Sequence, residues 1–206
     1  MSRQTILADE KYKVILAYEE EVARNVPAKV LDKPELSFWM FFFPIVFVPY
    51  MYRHKAYKES LKVFSQGYLF TKKVALEAAC LIYKNEQTWE EALEKARLQV
   101  YKKPDAVGHI LEIYQKQMLE ISLLVDHYLK LLNAAGESYR DLIVDAYQTR
   151  SRYLEYLQQL AQAEREVNAV AVFAVKSEET TLSGITGKME QALAALRHKE
   201  AEQFFV

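Results

Sequence analysis

Glycine and proline are scarce in this chain, five of each in 206 residues, and neither occurs between Glu137 and Ser183. Turns and strand ends draw on those residues, so a stretch of that length without them is expected to be helical. Cysteine is nearly absent. Cys80 stands alone, which excludes an intrachain disulfide and a cysteine-built zinc site. A lone thiol of this kind is expected to be a small buried hydrophobe. Net charge is missing as well: 27 basic against 28 acidic residues leave a formal charge of −1. That provides no field to draw a polyanion, and nucleic acid is not expected as a partner. Arg3, Asp9, Glu10, Lys11 and Lys13 crowd the first residues without an apolar core, unlike a secretory signal.

The motifs of common chemistries are also lacking. There is no G-x-S-x-G elbow, Gly-rich phosphate loop or pair of catalytic acids. Di-iron bundles need an acid three positions before a histidine so that both project into the core. None of the four histidines has one. His109 with Glu112 reverses that order, occurs once near a helix start, and is expected to be a solvated or capping pair. His198 and Glu202, at i,i+4, are expected to form a surface contact. Asp126 and His127 are neighbours in sequence, so they point about 100° apart on a helix and cannot face one another. The 14 tyrosines fall mostly on apolar stripes, where the ring packs and the hydroxyl finds an edge. No cofactor or metal is expected.

What is present is helical periodicity. Leu7, Val14, Tyr18, Val22, Val26 and Val30 mark one face of a first helix, with Glu19, Glu20 and Glu21 between them. Pro27 should bend it and Pro34 should stop it. After Arg53 the stripe resumes as Tyr57, Leu61, Phe64, Tyr68, Ala75, Ala79 and Ile82, with lysines 55, 58, 62, 72 and 73 placed on the other sides. Thr88 and Glu91 form a capping box opening a short helix that Pro104 ends. From Asp105 to about Asn133, apolar residues surround most of the helix, which should be central, with Gly136 placed to terminate it. A long helix is expected from Ser138 toward Val175, then a loop or hinge over 177–187, then a last helix from about Lys188. Ala169 to Val175 alternates like a strand but lies inside a helical pattern and is expected to be helix. Glu20/Arg24, Glu91/Lys95, Glu112/Lys116 and Asp126/Lys130 are acid-before-base pairs at i,i+4, each worth about 0.2–0.5 kcal/mol to a helix.

One segment departs from this pattern. Residues 36–52 read LSFWMFFFPIVFVPYMY, seventeen positions without a charge, holding five of the ten phenylalanines. Asp32, Lys33 and Glu35 precede it, and Arg53, His54 and Lys55 follow. Trp39, Tyr50 and Tyr52 lie toward its ends, where amphipathic rings favour a membrane interface. The length is at the bottom of the roughly 17–25 residues a spanning helix needs, and Pro44 and Pro49 each remove a backbone donor. Basic residues within about twenty positions number three before it (Arg24, Lys29, Lys33) and six after (Arg53, Lys55, Lys58, Lys62, Lys72, Lys73), which puts the C-terminal side in the cytoplasm. A shallow or re-entrant insertion is therefore expected in preference to a span. The expected membrane contacts are Phe38, Trp39, Phe41, Phe42, Phe43, Pro44, Ile45, Val46, Phe47, Pro49 and Tyr50, with Arg53, Lys55 and Lys58 as interfacial basic residues. The competing reading is a buried core segment or a dry protein interface.

The expectation is an all-α protein: an N-terminal amphipathic helix (1–35), an apolar membrane-associated segment (36–52), and a bundle of long amphipathic helices (53–206). The function expected is a non-enzymatic scaffold or adaptor on the cytoplasmic side of a membrane, with a protein partner or further copies of itself. The alternatives are a soluble all-α binding or regulatory module, and a membrane-bound enzyme acting on a lipid or quinone. The last would require a cavity lined by ionisable groups.

Overall fold

A computed structural model describes residues 3–30, 55–101, 106–174 and 179–205. Among them are seven α-helices and no strand: α1 (Arg3–Val30), α2 (Lys55–Tyr83), α3 (Trp89–Val100), α4 (His109–Asn133), α5 (Tyr139–Tyr147), α6 (Arg150–Ala174) and α7 (Glu179–Phe204). The periodic stripes thus become packed helices. The alternating run at 169–174 is helical.

Local signals explain most of the boundaries. Thr88 caps α3: its hydroxyl accepts the Glu91 N–H while the Glu91 carboxylate accepts the Thr88 N–H, satisfying two otherwise orphaned donors. Ser138 and Asp141 build the same box at the start of α5. Gly136 sits just beyond α4 with φ of 137°, and a Cβ there would lie 2.4 Å from the Cβ of Asp141, so only glycine fits the turn. The α4 terminus is also held from outside. The Lys11 ammonium, buried, donates to the carbonyls of Leu132 at 2.8 Å and Ala134 at 2.6 Å, meeting acceptors that the helix end cannot satisfy itself.

Three expectations change. The long helix expected from Ser138 is two, because Gln148 takes a left-handed conformation (φ 60°) and the chain restarts at Thr149, whose hydroxyl accepts the Arg152 N–H. No glycine or proline announces that break. The loop expected over 177–187 is helical from Glu179 onward, with Gly184 and Gly187 inside α7; residues 177 and 178 lie outside the described set. A helical glycine costs only about 1 kcal/mol against alanine, and the packing of Met189 and Leu193 on Val22 and Val26 opposes that cost. Of the i,i+4 pairs, Asp126–Lys130 closes at 2.6 Å, but Glu20 reaches Lys73 on α2 and Lys116 reaches Glu166 on α6.

The five long helices form a ring in the order α1, α2, α4, α6, α7, each packed on the next and α7 on α1. Directions follow from cross-helix pairs. Asp9–Lys84 and Glu20–Lys73 make α1 and α2 antiparallel. Lys11 at the end of α4, with Tyr128 on Glu19, makes α1 and α4 antiparallel too. Lys116–Glu166 with His127–Tyr156 does so for α4 and α6, and Arg197–Glu164 with Arg150–Glu202 for α6 and α7. A ring of five cannot alternate throughout, and the parallel pair is α2 and α4, joined by α3 running back along them. Ile15, Leu76, Ile121, Leu124, Leu131, Ile143 and Leu160 fill the interior. At one end of the ring lie the last turn of α1, the first turns of α2, α4 and α7, and the last turn of α6. Val30 and Lys55, which flank 31–54, are therefore at the same end.

Candidate functional site

Each helix of the ring sends a polar group to the central axis. From α2, the Lys72 ammonium bridges Glu120 of α4 at 3.3 Å and Glu164 of α6 at 3.1 Å. From α7, Arg197 grips Glu164 with two nitrogens, each at 2.7 Å, the bidentate geometry that favours arginine over lysine. From α1, the buried Glu19 accepts the Tyr128 hydroxyl at 2.7 Å and the Tyr68 hydroxyl at 3.1 Å. Tyr18 donates to Glu200. Beside them His127 stacks on Tyr156 at 4.1 Å, and its Nδ1 pairs with the Tyr147 hydroxyl at 2.7 Å.

Burial sets the charge states, and neighbours then divide them. Burial pulls the Lys72 ammonium down, but Glu164 and Glu120 outweigh it and raise the group overall. Glu164 is pushed up by burial and more strongly held down by Arg197 and Lys72, to about 2 from an ordinary 4.5. For Glu120 burial prevails over Lys72, and its pKa rises. Two carboxylates on one ammonium thus separate into one kept ionised and one eased toward neutrality, as interacting sites do. Burial drives His127 well below 6.5, and the charges of Lys72, Lys130 and Arg197 add to the effect. The imidazole is neutral at neutral pH.

A pH dependence follows. Glu164 and His127 both have depressed folded values, so the stability each provides is present above its unfolded value and lost as pH falls. For His127 the loss begins below 6.5; for Glu164 it runs from 4.5 toward 2. Glu120 and Glu200, raised by burial, act in the opposite sense. We expect the urea midpoint to fall in two limbs on acidification. Replacing His127 with Phe, which keeps a ring against Tyr156, should remove the upper limb and leave the lower one.

These groups surround a cavity of about 20 Å³ lined by Glu19, Tyr68, Lys72, His127, Tyr156 and Arg197 among others, enough for one water molecule. The carboxylates have cations from the chain itself, Lys72 and Arg197, where a di-iron bundle would hold metal. Among the described residues no group of three or more histidine, cysteine or acidic side chains is placed to hold a metal ion. A larger space, about 460 Å³, is an open groove between α4 and α6 beside Leu119, Gln158, Gln162 and Ala163.

The residues expected to contact a membrane, Phe38 to Tyr50 as named above, lie outside the described residues, as does Arg53. Lys55 and Lys58 fall in the first turns of α2. Cys80 is buried, with its thiol pushed up to about 11 by that burial. His109–Glu112 and His198–Glu202 are exposed contacts at 3.7 and 3.4 Å. Lys72 departs from the outer-side position that the stripe of α2 predicts for it: it is 2% exposed. The stripe Tyr68, Ala75, Ala79 leaves a vacancy at 72 that an inward lysine fills, and that vacancy was a usable signal. Comparison with protein-family models, curated proteins and solved structures finds no match to this chain.

Proposed function

We propose that the protein is a non-enzymatic helical scaffold or adaptor held at the cytoplasmic face of a membrane by residues 36–52, working as one subunit of a larger assembly. The observation that carries the reading is the charge-free aromatic run, set between two helices that pair antiparallel. Because Asp9–Lys84 and Glu20–Lys73 hold α1 against α2, both helices stand on one side of any membrane the run enters. A segment leaving from Val30 and returning at Lys55 must then enter and exit by the same face. Shallow or re-entrant insertion satisfies this; a span would pull the pair apart. No helix among the described residues is long and apolar enough to cross a membrane.

The interior supports a structural role for the polar cluster. Lys72, Arg197, Glu120 and Glu164 are paired with one another, Glu19 is held by two tyrosine hydroxyls, and the space they leave takes one water, too little for a lipid or quinone head group. Buried ion networks of this kind are best explained as fixing which helices pair and in which register, a role attested for buried polar residues in helical assemblies.

The test is fractionation of the protein in its native host. Retention in the membrane pellet through high-salt and alkaline carbonate washes is the expected result. Release by either wash, or recovery in the soluble fraction, would overturn the reading.

A further inference from the structure

The polar axis holds more acid than base. Its charged groups are Glu19 from α1, Lys72 from α2, Glu120 from α4, Glu164 from α6 and Arg197 from α7, three carboxyls against two cations. Among the described residues the other elements packed on α4 do not correct the imbalance. All charged side chains of α3 and α5 are exposed, and Tyr147 of α5 is engaged by His127. On α4 itself Glu112, Asp126 and Lys130 are exposed, Lys116 pairs with Glu166, and burial keeps His127 neutral. Glu200 of α7, half-buried and bound by the Tyr18 hydroxyl, is a further acid. A buried carboxylate without its own counter-charge takes up a proton rather than bear the cost of desolvation.

We propose that the axis is a proton-binding site and that Glu120 holds the proton in the folded chain. The inventory of donors singles it out. Glu164 has two nitrogens of Arg197 and the Lys72 ammonium, and Glu19 has the hydroxyls of Tyr68 and Tyr128. Glu120 has one contact, 3.3 Å from an ammonium that it shares with Glu164. Glu200 also has a single donor, but solvent reaches it, whereas Glu120 is 7% exposed. Burial raises Glu120 against the pull of Lys72, while Arg197 and Lys72 hold Glu164 at about 2, the same division that the donors give. The proton makes the pairing of α4 with α2 and α6 responsive to pH. Because the folded value lies above the unfolded one, the stability Glu120 provides is present below 4.5 and is lost as pH rises through the folded value, the opposite sense to Glu164 and His127.

The test is a carbon NMR titration of the full-length chain carrying carboxyl-labelled glutamate, in detergent, with urea unfolding over the same pH range. We compare wild type, Glu120→Gln and Glu200→Gln. The resonance that Glu120→Gln removes should titrate well above 4.5 and should persist in Glu200→Gln. The unfolding constant of wild type relative to Glu120→Gln should rise about tenfold per pH unit from the ordinary carboxyl value up to the Glu120 midpoint, then stay level. A Glu120 midpoint at or below 4.5, or a ratio that does not change with pH, overturns the inference. A high midpoint that disappears in Glu200→Gln instead places the proton on the Tyr18 contact and overturns it equally. If Glu120→Gln does not fold, wild type and Glu200→Gln still decide: a glutamate that titrates well above 4.5 in both is expected, and its absence is fatal. None of these outcomes bears on the membrane reading, which stands or falls by fractionation.

Discussion

Replacing Glu164 with Leu is expected to destabilise the protein by about 3–5 kcal/mol, the range found when one partner of a buried ion pair is removed. Glu164 is the hub of the axis. It takes both nitrogens of Arg197 and shares the Lys72 ammonium with Glu120. Its loss leaves Arg197 and Lys72, 8% and 2% exposed, facing each other with Glu120 as the remaining carboxylate on Lys72. Burying charge without compensation, rather than loss of attraction, is the source of the cost. A second variant separates these causes. In Glu164→Leu/Arg197→Met both partners become apolar, and we expect much of the stability to return, because desolvating the pair in the parent offsets most of its Coulomb gain. Urea unfolding of the two variants and of Arg197→Met completes a double-mutant cycle. A coupling near zero would show that the cluster does not act as a unit.

Placing lysine at both Phe42 and Val46 should have the second large effect. A lysine in the apolar part of a membrane element costs roughly 2.5–3.5 kcal/mol, so two should lower membrane partition on the order of a hundredfold or more. The chain should then move to the soluble fraction with its helical circular dichroism intact, since the described ring carries its own core of Ile121, Leu124, Leu131 and Ile143. An unfolded or aggregated product would place the run in a core instead. A folded variant that still pellets with membranes would contradict both readings.

Several of the inward-facing charges were present in the pattern of apolar residues as gaps. Lys11 stands between Leu7 and Val14, Lys72 between Tyr68 and Ala75, and Glu164 between Leu160 and Val167, each where the next inward residue was due. All three lie inward or largely so in the fold. A gap alone does not identify its partner, however. Glu19 illustrates the difficulty: it lies in a run of three glutamates, and only the tyrosines of α2 and α4 single it out from Glu20 and Glu21.

The helices, the capped start of α3, the buried thiol and the apolar run between charged flanks were all determined by the sequence alone. Each rests on interactions within a few residues or on a periodicity of one helix, and such signals do not depend on distant parts of the chain. The tertiary structure decided the rest. It turned Lys72 inward, joined α1 to α2 so that both flanks of 36–52 share an end, and broke the long helix at Gln148 without a glycine. These depend on which groups meet across helices, because a buried charge is stable only where a partner from another element reaches it.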